Sequence, residues 1–223
     1  TQTRELSAEE KELGDFAESC FVYNNETWVK IFQENNMDFE EPGMVIFDDG
    51  VNTACGSATS ASGPFYCPGD RKVYLDTAFF GQLAKQFGAA GDFAQAYVIA
   101  HEVGHHVQNL TGILPKFNQM RQQMSEADAN QMSMRVELQA DCFAGVWAHH
   151  ANNARQLLED GDVAEAMNAA AKIGDDALQR GSGRAVVPES FTHGSSAQRQ
   201  RWFDKGLKTG SVKGCDTFSN RSI

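Results

Sequence analysis

Two histidines and a glutamate in one short segment have the residue types and the spacing of a catalytic metal site. His101, Glu102 and His105 occur in the run Tyr97-Val-Ile-Ala-His-Glu-Val-Gly-His-His106. On an α-helix, His101 and His105 lie on one face, so both imidazoles can bind a single zinc ion. Glu102 is rotated by about 100° from His101, which places its carboxylate beside the ion, where a general base belongs. The alternative is a pair of surface histidines on a solvated helix.

A catalytic zinc ion needs a third protein ligand, and the best candidate lies downstream. Glu137 and Asp141 occur in Glu-Leu-Gln-Ala-Asp, at helical spacing beside an apolar stripe. Because burying two carboxylates without a cation is costly, we expect Glu137 to bind zinc. Asp141 would then accept a hydrogen bond from the outer ring nitrogen of a ligand histidine. The alternatives are an acid pair on a solvated face, or a site completed by His149 or His150 further along the helix.

The composition is that of a globular protein and excludes some functions. The chain has 223 residues, of which 41% are hydrophobic and 22% charged, and one domain over residues 1–223 is expected. A net charge of −11 disfavours binding to nucleic acid. No segment is apolar enough to span a bilayer or to act as a signal peptide. Since the chain begins at Thr1 without methionine, we expect a trimmed form from which an N-terminal membrane anchor could have been removed.

Five cysteines give an indication of the compartment. Cys55 and Cys67 flank a loop that a disulfide could close, and Cys20 and Cys215 could join the two ends of the chain. Cys142 would then remain free. Two disulfides would indicate an oxidising, extracytoplasmic location, either periplasmic or at the cell surface. Five reduced thiols in a cytosolic protein are the alternative.

The sequence predicts a mainly helical α+β fold for the elements that must position these residues. Apolar residues at helical spacing predict an N-terminal helix over 13–33, and short β-branched runs over 42–76 predict a small, mostly antiparallel sheet. Residues 92–152 are expected to form the helices of the zinc site. Residues 153–223 are expected to supply a helical buttress, including two Ala-rich helices that end near 181–183, and a C-terminal segment.

A short amphipathic helix is expected between the two zinc-site helices. Phe117, Met120 and Met124 recur there at helical spacing. This stripe either packs onto the body of the protein or forms a mobile lid over a cleft.

These motifs resemble the bacterial neutral zinc metallopeptidase family. The resemblance is carried by His-Glu-Val-Gly-His-His at 101–106 and Glu-Leu-Gln-Ala-Asp at 137–141, and it covers most of the chain beyond Cys20. The pattern is also similar to that of compact gluzincins such as the Ste24/HtpX-like peptidases. It implies a zincin-like, minigluzincin-like fold, one zinc ion per chain, Glu137 as the third ligand and a peptide or protein substrate. Members of the family typically carry an N-terminal membrane anchor.

A third segment could stabilise the oxyanion of a peptide-hydrolysis intermediate. Thr192-His193, with Arg199 six residues later, is similar to a Thr-His-Pro and Arg element of the gluzincin group, with Gly194 in place of the proline. The resemblance implies that His193 or Arg199 stabilises the oxyanion. The alternative is a loop in which His193 satisfies local hydrogen bonds.

The sequence therefore predicts a zinc-dependent endopeptidase with Glu102 as general base. A zinc hydrolase of non-peptide amides or esters would use the same groups. A non-catalytic binding or scaffold protein stabilised by zinc is the other alternative, and it would need a closed site with four protein ligands.

Overall fold

Six α-helices and a small sheet form the part of the chain that the computed structural model describes, which is residues 8–59, 62–76, 78–79, 92–155, 158–159, 161–172, 174, 191–219 and 223. The helices are α1 (Ala8–Glu34), α2 (Asp92–Leu110), α3 (Ile113–Met120), α4 (Glu126–Arg155), α5 (Asp162–Lys172) and α6 (Ser196–Thr209). The strands are β1 (Gly43–Phe47), β2 (Gly50–Thr53), β3 (Gly56–Thr59), β4 (Phe65–Cys67) and β5 (Lys72–Asp76). The mainly helical α+β fold with a sheet in the N-terminal half is thus confirmed.

The sheet has three strands in the order β1-β5-β4, and β2 and β3 form a separate hairpin. β1 and β5 are parallel, whereas the β4–β5 and β2–β3 pairs are antiparallel, so the described strand pairings are mostly antiparallel, as predicted. The hairpin was missed because its strands are small and polar, without the bulky β-branched pattern that marks a strand. The predicted Cys55–Cys67 disulfide is present, with a Cα–Cα distance of 5.8 Å, and joins the hairpin to the end of β4.

α2 lies in the middle of the helical layer and is buried along most of its length. Its first half, Phe93 to Ala100, is almost entirely apolar, so it can be covered on several sides. Trp28 of α1 contacts Phe143 of α4 edge to face, with ring centroids 5.5 Å apart, and both rings belong to the core around α2. The apolar run that precedes His101 therefore places the histidines inside the molecule.

α4 and α6 cross in backbone contact through two glycines. A Cβ added at Gly145 would lie 2.1 Å from the carbonyl oxygen of Phe203, and one at Gly206 would lie 2.0 Å from that of Cys142. Neither position can accept a side chain unless the helices separate. The crossing fixes α6 tightly against the helix that carries Glu137 and Asp141.

The second disulfide joins Cys142 to Cys215, so the predicted Cys20–Cys215 pairing is wrong. Cys142 lies on the buried face of α4, opposite the short 3₁₀ turn Val212–Cys215, and the two Cα atoms are 5.6 Å apart. Cys20 is free, and burial raises the pKa of its thiol to about 12, with a further contribution from Asp92. Spacing along the chain could not show that the C-terminal turn docks onto α4 instead of α1.

Several other segments differ from the predictions in detail. α1 begins by Ala8, earlier than predicted, and α5 accounts for the first Ala-rich helix. The second Ala-rich helix lies outside the described residues. Pro115 lies in the first turn of α3, where a missing backbone N–H costs little. Among the described helices, none combines the length and the apolar character needed to cross a bilayer.

Candidate metal centre

Two imidazoles from α2 and one carboxylate from α4 meet in the interior. His101 Nε2 lies 3.1 Å from Glu137 Oε2, and His105 Nε2 lies 3.3 Å from Glu137 Oε1. The three candidate ligand atoms all lie within 4.8 Å of one another. In the described part of the chain, no other cluster of His, Cys, Asp or Glu side chains meets in this way. The two sequence segments expected to converge do so.

A glycine allows α2 and α4 to approach closely enough for this contact. Gly104 lies between the two histidines, and a Cβ there would lie 3.1 Å from the carbonyl oxygen of Ala140 and 3.3 Å from its Cα. Because both atoms belong to the backbone of α4, a side chain at Gly104 would push that helix away. Gly104 therefore sets the spacing at which Glu137 reaches the histidines.

Asp141 holds the outer nitrogen of His101. Its Oδ1 lies 2.8 Å from His101 Nδ1, while Arg199 of α6 donates to the same carboxylate through Nε at 2.9 Å and Nη2 at 3.0 Å. The Tyr97 hydroxyl also donates to Asp141. Burial would raise the pKa of Asp141, but the charges of Arg199 and His101 outweigh it and lower that pKa. An ionised Asp141 makes His101 Nδ1 the protonated donor and leaves Nε2 facing Glu137.

Gln108, which the sequence reasoning did not single out, performs the same task for His105. Its Oε1 lies 2.8 Å from His105 Nδ1, while its Nε2 donates to the Val136 carbonyl at 2.8 Å and to Gln139 Oε1 at 3.0 Å. Gln139 in turn donates to the Cys215 carbonyl at 3.0 Å. Since backbone carbonyls only accept, both amides are fixed in orientation, and Gln108 Oε1 must accept from His105. The signal in the sequence is the spacing of Gln108 three residues after His105.

This arrangement of donors fits a zinc ion. With both Nδ1 atoms donating outwards, the two Nε2 atoms are left to share a positive charge, either protons or a metal ion, with the Glu137 carboxylate. Burial alone would lower the pKa of His101, but Asp141 and Glu137 raise it to about 10. Burial would raise the pKa of Glu137, but His105 and His101 lower it well below its usual range. Both shifts show that the surroundings favour positive charge at the point where the three side chains meet.

Glu102 lies beside this group on α2 and is buried, with 7% of its surface exposed. Burial raises the pKa of Glu102, and the charges of His101 and His105 offset part of that rise. A carboxylate with a raised pKa, next to a metal-binding cluster but outside it, has the properties of a proton acceptor that later returns the proton.

The remaining histidines of the helices have structural roles. His106 Nε2 donates to the Glu40 carbonyl at 2.6 Å, and its Nδ1 accepts from the Tyr66 hydroxyl at 2.8 Å. His149 Nδ1 bonds the Leu207 carbonyl at 2.7 Å and His150 Nε2 the Gly210 carbonyl at 2.9 Å. These two histidines cap the C-terminal end of α6 and are not part of the metal cluster.

The segment before α6 supports the cluster from one side. His193 is exposed on this loop, where its Nδ1 lies 3.0 Å from Thr192 Oγ1, and its role at an oxyanion stays a prediction. Gly194 has φ 94°, which proline cannot adopt, and a Cβ there would lie 2.9 Å from Leu138 Cδ2. The loop therefore lies against the residue that follows Glu137. Arg199 is buried against Asp141 on the Nδ1 side of His101, and its role at an oxyanion likewise stays a prediction.

Comparison with known proteins agrees with this geometry. The family described as "Putative neutral zinc metallopeptidase" matches residues 1–218 of the chain. Uncharacterized protein YpfJ of Escherichia coli K12 is 47% identical over 216 residues, which cover 97% of this chain and 75% of YpfJ. Uncharacterized protein Rv2575 of Mycobacterium tuberculosis H37Rv is 47% identical over 191 residues, covering 81% of this chain and 64% of that protein. No solved structure matches the chain significantly.

The family match spans nearly the whole sequence and includes the two motifs whose side chains meet in the interior. This chain belongs to the neutral zinc metallopeptidase family.

Proposed function

We propose that this chain is a zinc-dependent endopeptidase in which His101, His105 and Glu137 hold one zinc ion and Glu102 is the general base. The proposal rests mainly on one observation. The three candidate ligand atoms lie within 4.8 Å of one another, and the outer nitrogen of each histidine is held by a buried acceptor. A hydrogen-bond acceptor at the outer ring nitrogen orients the ring of a metal-binding histidine.

Bound zinc would supply a Lewis acid that activates water and polarises the carbonyl of the scissile bond. Glu102 would accept the proton from the attacking water and deliver it to the departing amine. The raised pKa of Glu102 supports both transfers, because a base that binds its proton more firmly can also act as the acid in the next step. Asp141 and Gln108 would keep the two imidazoles in the tautomer that this chemistry needs. We further propose that His193, on the exposed loop, stabilises the oxyanion.

A peptide substrate has a natural position along β4. The edges of the three-stranded sheet are β1 and β4, and Tyr66 and Pro68 at the end of β4 line a cavity together with His105 and Glu137. An extended peptide that pairs with β4 through its backbone would cross the metal group with little dependence on sequence. This placement favours cleavage within a chain, and therefore an endopeptidase acting on peptides or proteins.

The protein carries two disulfides, which are typical of proteins in an oxidising environment. We accordingly propose an extracytoplasmic site of action, either periplasmic or at the cell surface. The net charge of −11 supports the expectation that nucleic acid is not a partner.

The three-member cluster also bears on the alternative of a structural zinc site. Structural zinc is normally held by four protein ligands, whereas catalytic zinc keeps one position for water or substrate. Within the described residues the cluster contains three side chains, with a buried glutamate beside them. This composition supports a catalytic site over a scaffold. A non-peptide hydrolase would use the same groups and is distinguished only by its substrates.

The test combines metal analysis with cleavage of an unbiased peptide library. We expect one zinc per chain, cleavage that a chelator abolishes and zinc restores, and loss of both zinc and cleavage in His105→Ala. Glu102→Gln should keep its zinc and lose cleavage by a factor of about 100 or more. Glu165→Gln on α5 is the matched control and should cleave normally. Undiminished cleavage by Glu102→Gln would remove Glu102 from the mechanism, and zinc without any peptide cleavage would favour the alternatives.

A further inference from the structure

A cavity of about 260 Å³ opens directly beside the metal cluster. His105 and Glu137 line one end of it. The other walls are mixed: Leu114 and Phe117 of α3 and Val136 of α4 are apolar, whereas Asn118, Arg121 and Ser133 are polar. The volume falls just below the range of roughly 300–1,000 Å³ that is usual for sites of drug-sized ligands, so the cavity suits one side chain of a larger substrate.

A second, apolar cavity of about 300 Å³ lies along the neighbouring face of α3. Ile113 and Met120 line it together with Met132 and Phe218. Phe117 is the residue common to the two cavities. On the helix, Leu114 and Arg121 lie to one side of Phe117, towards the metal cluster, and Ile113 and Met120 lie to the other.

The ring of Phe117 is therefore the wall between the two spaces. It is 7% exposed, whereas Met120 in the next turn is 40% exposed, so the predicted packing stripe of α3 is anchored mainly by Phe117. The Arg121 guanidinium lies 5.8 Å from the centroid of the Phe117 ring on the side of the first cavity. This cation–π contact helps to keep the ring in its position.

We infer that Phe117 determines substrate specificity by setting the depth of a pocket for the side chain next to the scissile bond. This inference rests on the proposed function, because the cavity is a substrate pocket only if the metal cluster cleaves peptides. Leu114, Phe117 and Val136 favour Leu or Phe, which bury apolar surface against them. Arg121, which also lines the cavity, disfavours a basic side chain and attracts an acidic one, whereas Trp would meet the Phe117 ring.

The experiment uses peptides that differ only in the residue flanking the cleaved bond, which is Ala, Leu, Phe, Trp or Asp. Cleavage sites are mapped by mass spectrometry and kcat/KM is measured for the full chain. We expect the unmodified chain to favour Leu and Phe over Ala and Trp. Phe117→Ala joins the two cavities and should raise the ratio of kcat/KM for Trp over Leu by about tenfold, a value typical of pocket-size changes.

Met120→Ala is the matched control, because it enlarges only the second cavity and should leave this ratio unchanged. Phe117→Leu, a smaller change in volume, should move the ratio in the same direction by less and serves if Phe117→Ala does not fold. Zinc content and thermal unfolding establish that each variant is intact.

The outcomes separate the two proposals. If the zinc-loaded chain cleaves no peptide, the proposed function fails, and the pocket assignment with it. If the chain cleaves peptides but its Trp-to-Leu ratio is the same in the folded Phe117 variants, Phe117 does not set specificity and the peptidase function still holds. A shift of equal size in Met120→Ala would also overturn the inference.

Discussion

Gln108 offers a sharp test of how the metal ligands are oriented. Its side chain links His105 to the Val136 carbonyl and, through Gln139, to the Cys215 carbonyl. Gln108→Met keeps the length of the side chain and removes both its acceptor and its donor. His105 Nδ1 then loses the partner that holds its ring with Nε2 towards Glu137.

The expected effect on zinc affinity is a loss of about 10- to 100-fold, the usual result of removing such a partner, or about 1.4–2.7 kcal/mol. A separate effect on folding is expected. The Val136 carbonyl and Gln139 Oε1 lose their donor in a buried place, which costs about 1–3 kcal/mol in the free energy of unfolding. The two effects are measured independently.

Zinc affinity is obtained by competition with a chromophoric chelator, and stability by urea unfolding of the zinc-free protein. Gln139→Met is the matched control, because it breaks the contacts to Gln108 and to the Cys215 carbonyl but leaves the bond between Gln108 and His105. We expect it to lower stability and to change the zinc Kd by less than about threefold. If Gln108→Met folds and binds zinc as tightly as the unmodified chain, the orientation of His105 does not depend on Gln108, and the reasoning is refuted.

Three further outcomes follow from the same contacts. Arg199→Met leaves the buried carboxylate of Asp141 without its main cation and should lower the free energy of unfolding by about 3–5 kcal/mol in urea denaturation; a loss below about 1 kcal/mol would contradict the buried ion pair. Replacing Cys142 and Cys215 together by Ala should lower the free energy of unfolding by about 2–5 kcal/mol, whereas Cys20→Ala should lower it by less and remove the free thiol that a thiol reagent detects in the unfolded protein. Zinc at about 100 times its Kd should raise the free energy of unfolding by about 2.7 kcal/mol, and a chelator should reverse this; an unchanged unfolding curve would argue against binding to the native state.

The helices with a strong apolar periodicity could be predicted from the sequence. The candidate metal ligands that meet between two of these helices could be predicted as well. The apolar run before His101 required a buried helix, and the paired acids at Glu137 and Asp141 required a cation near a second helix. One contact satisfies both: a cation bound by the buried histidines also neutralises the carboxylates on the second helix. The convergence of α2 and α4 could therefore be expected from the sequence.

The features that escaped prediction depend on tertiary contacts that leave little trace in a local pattern. The disulfide partner of Cys215 depends on which helix the C-terminal turn meets, and a glutamine such as Gln108 is polar and common enough to pass as a surface residue. The buried position of Arg199 against Asp141 depends on the crossing of α4 and α6 at two glycines. Close backbone approach of this kind cannot be derived from composition.

The glycine crossing of α4 and α6 has a consequence for biosynthesis. All candidate zinc ligands have left the ribosome once residue 137 has emerged, yet the arginine that neutralises Asp141 comes from α6, over sixty residues later. A nascent chain, or a fragment cut after α4, would contain each ligand and lack the helix that holds one of them in place. Competence to retain the metal should therefore arise only after α6 has been synthesised, well after the ligands themselves have emerged.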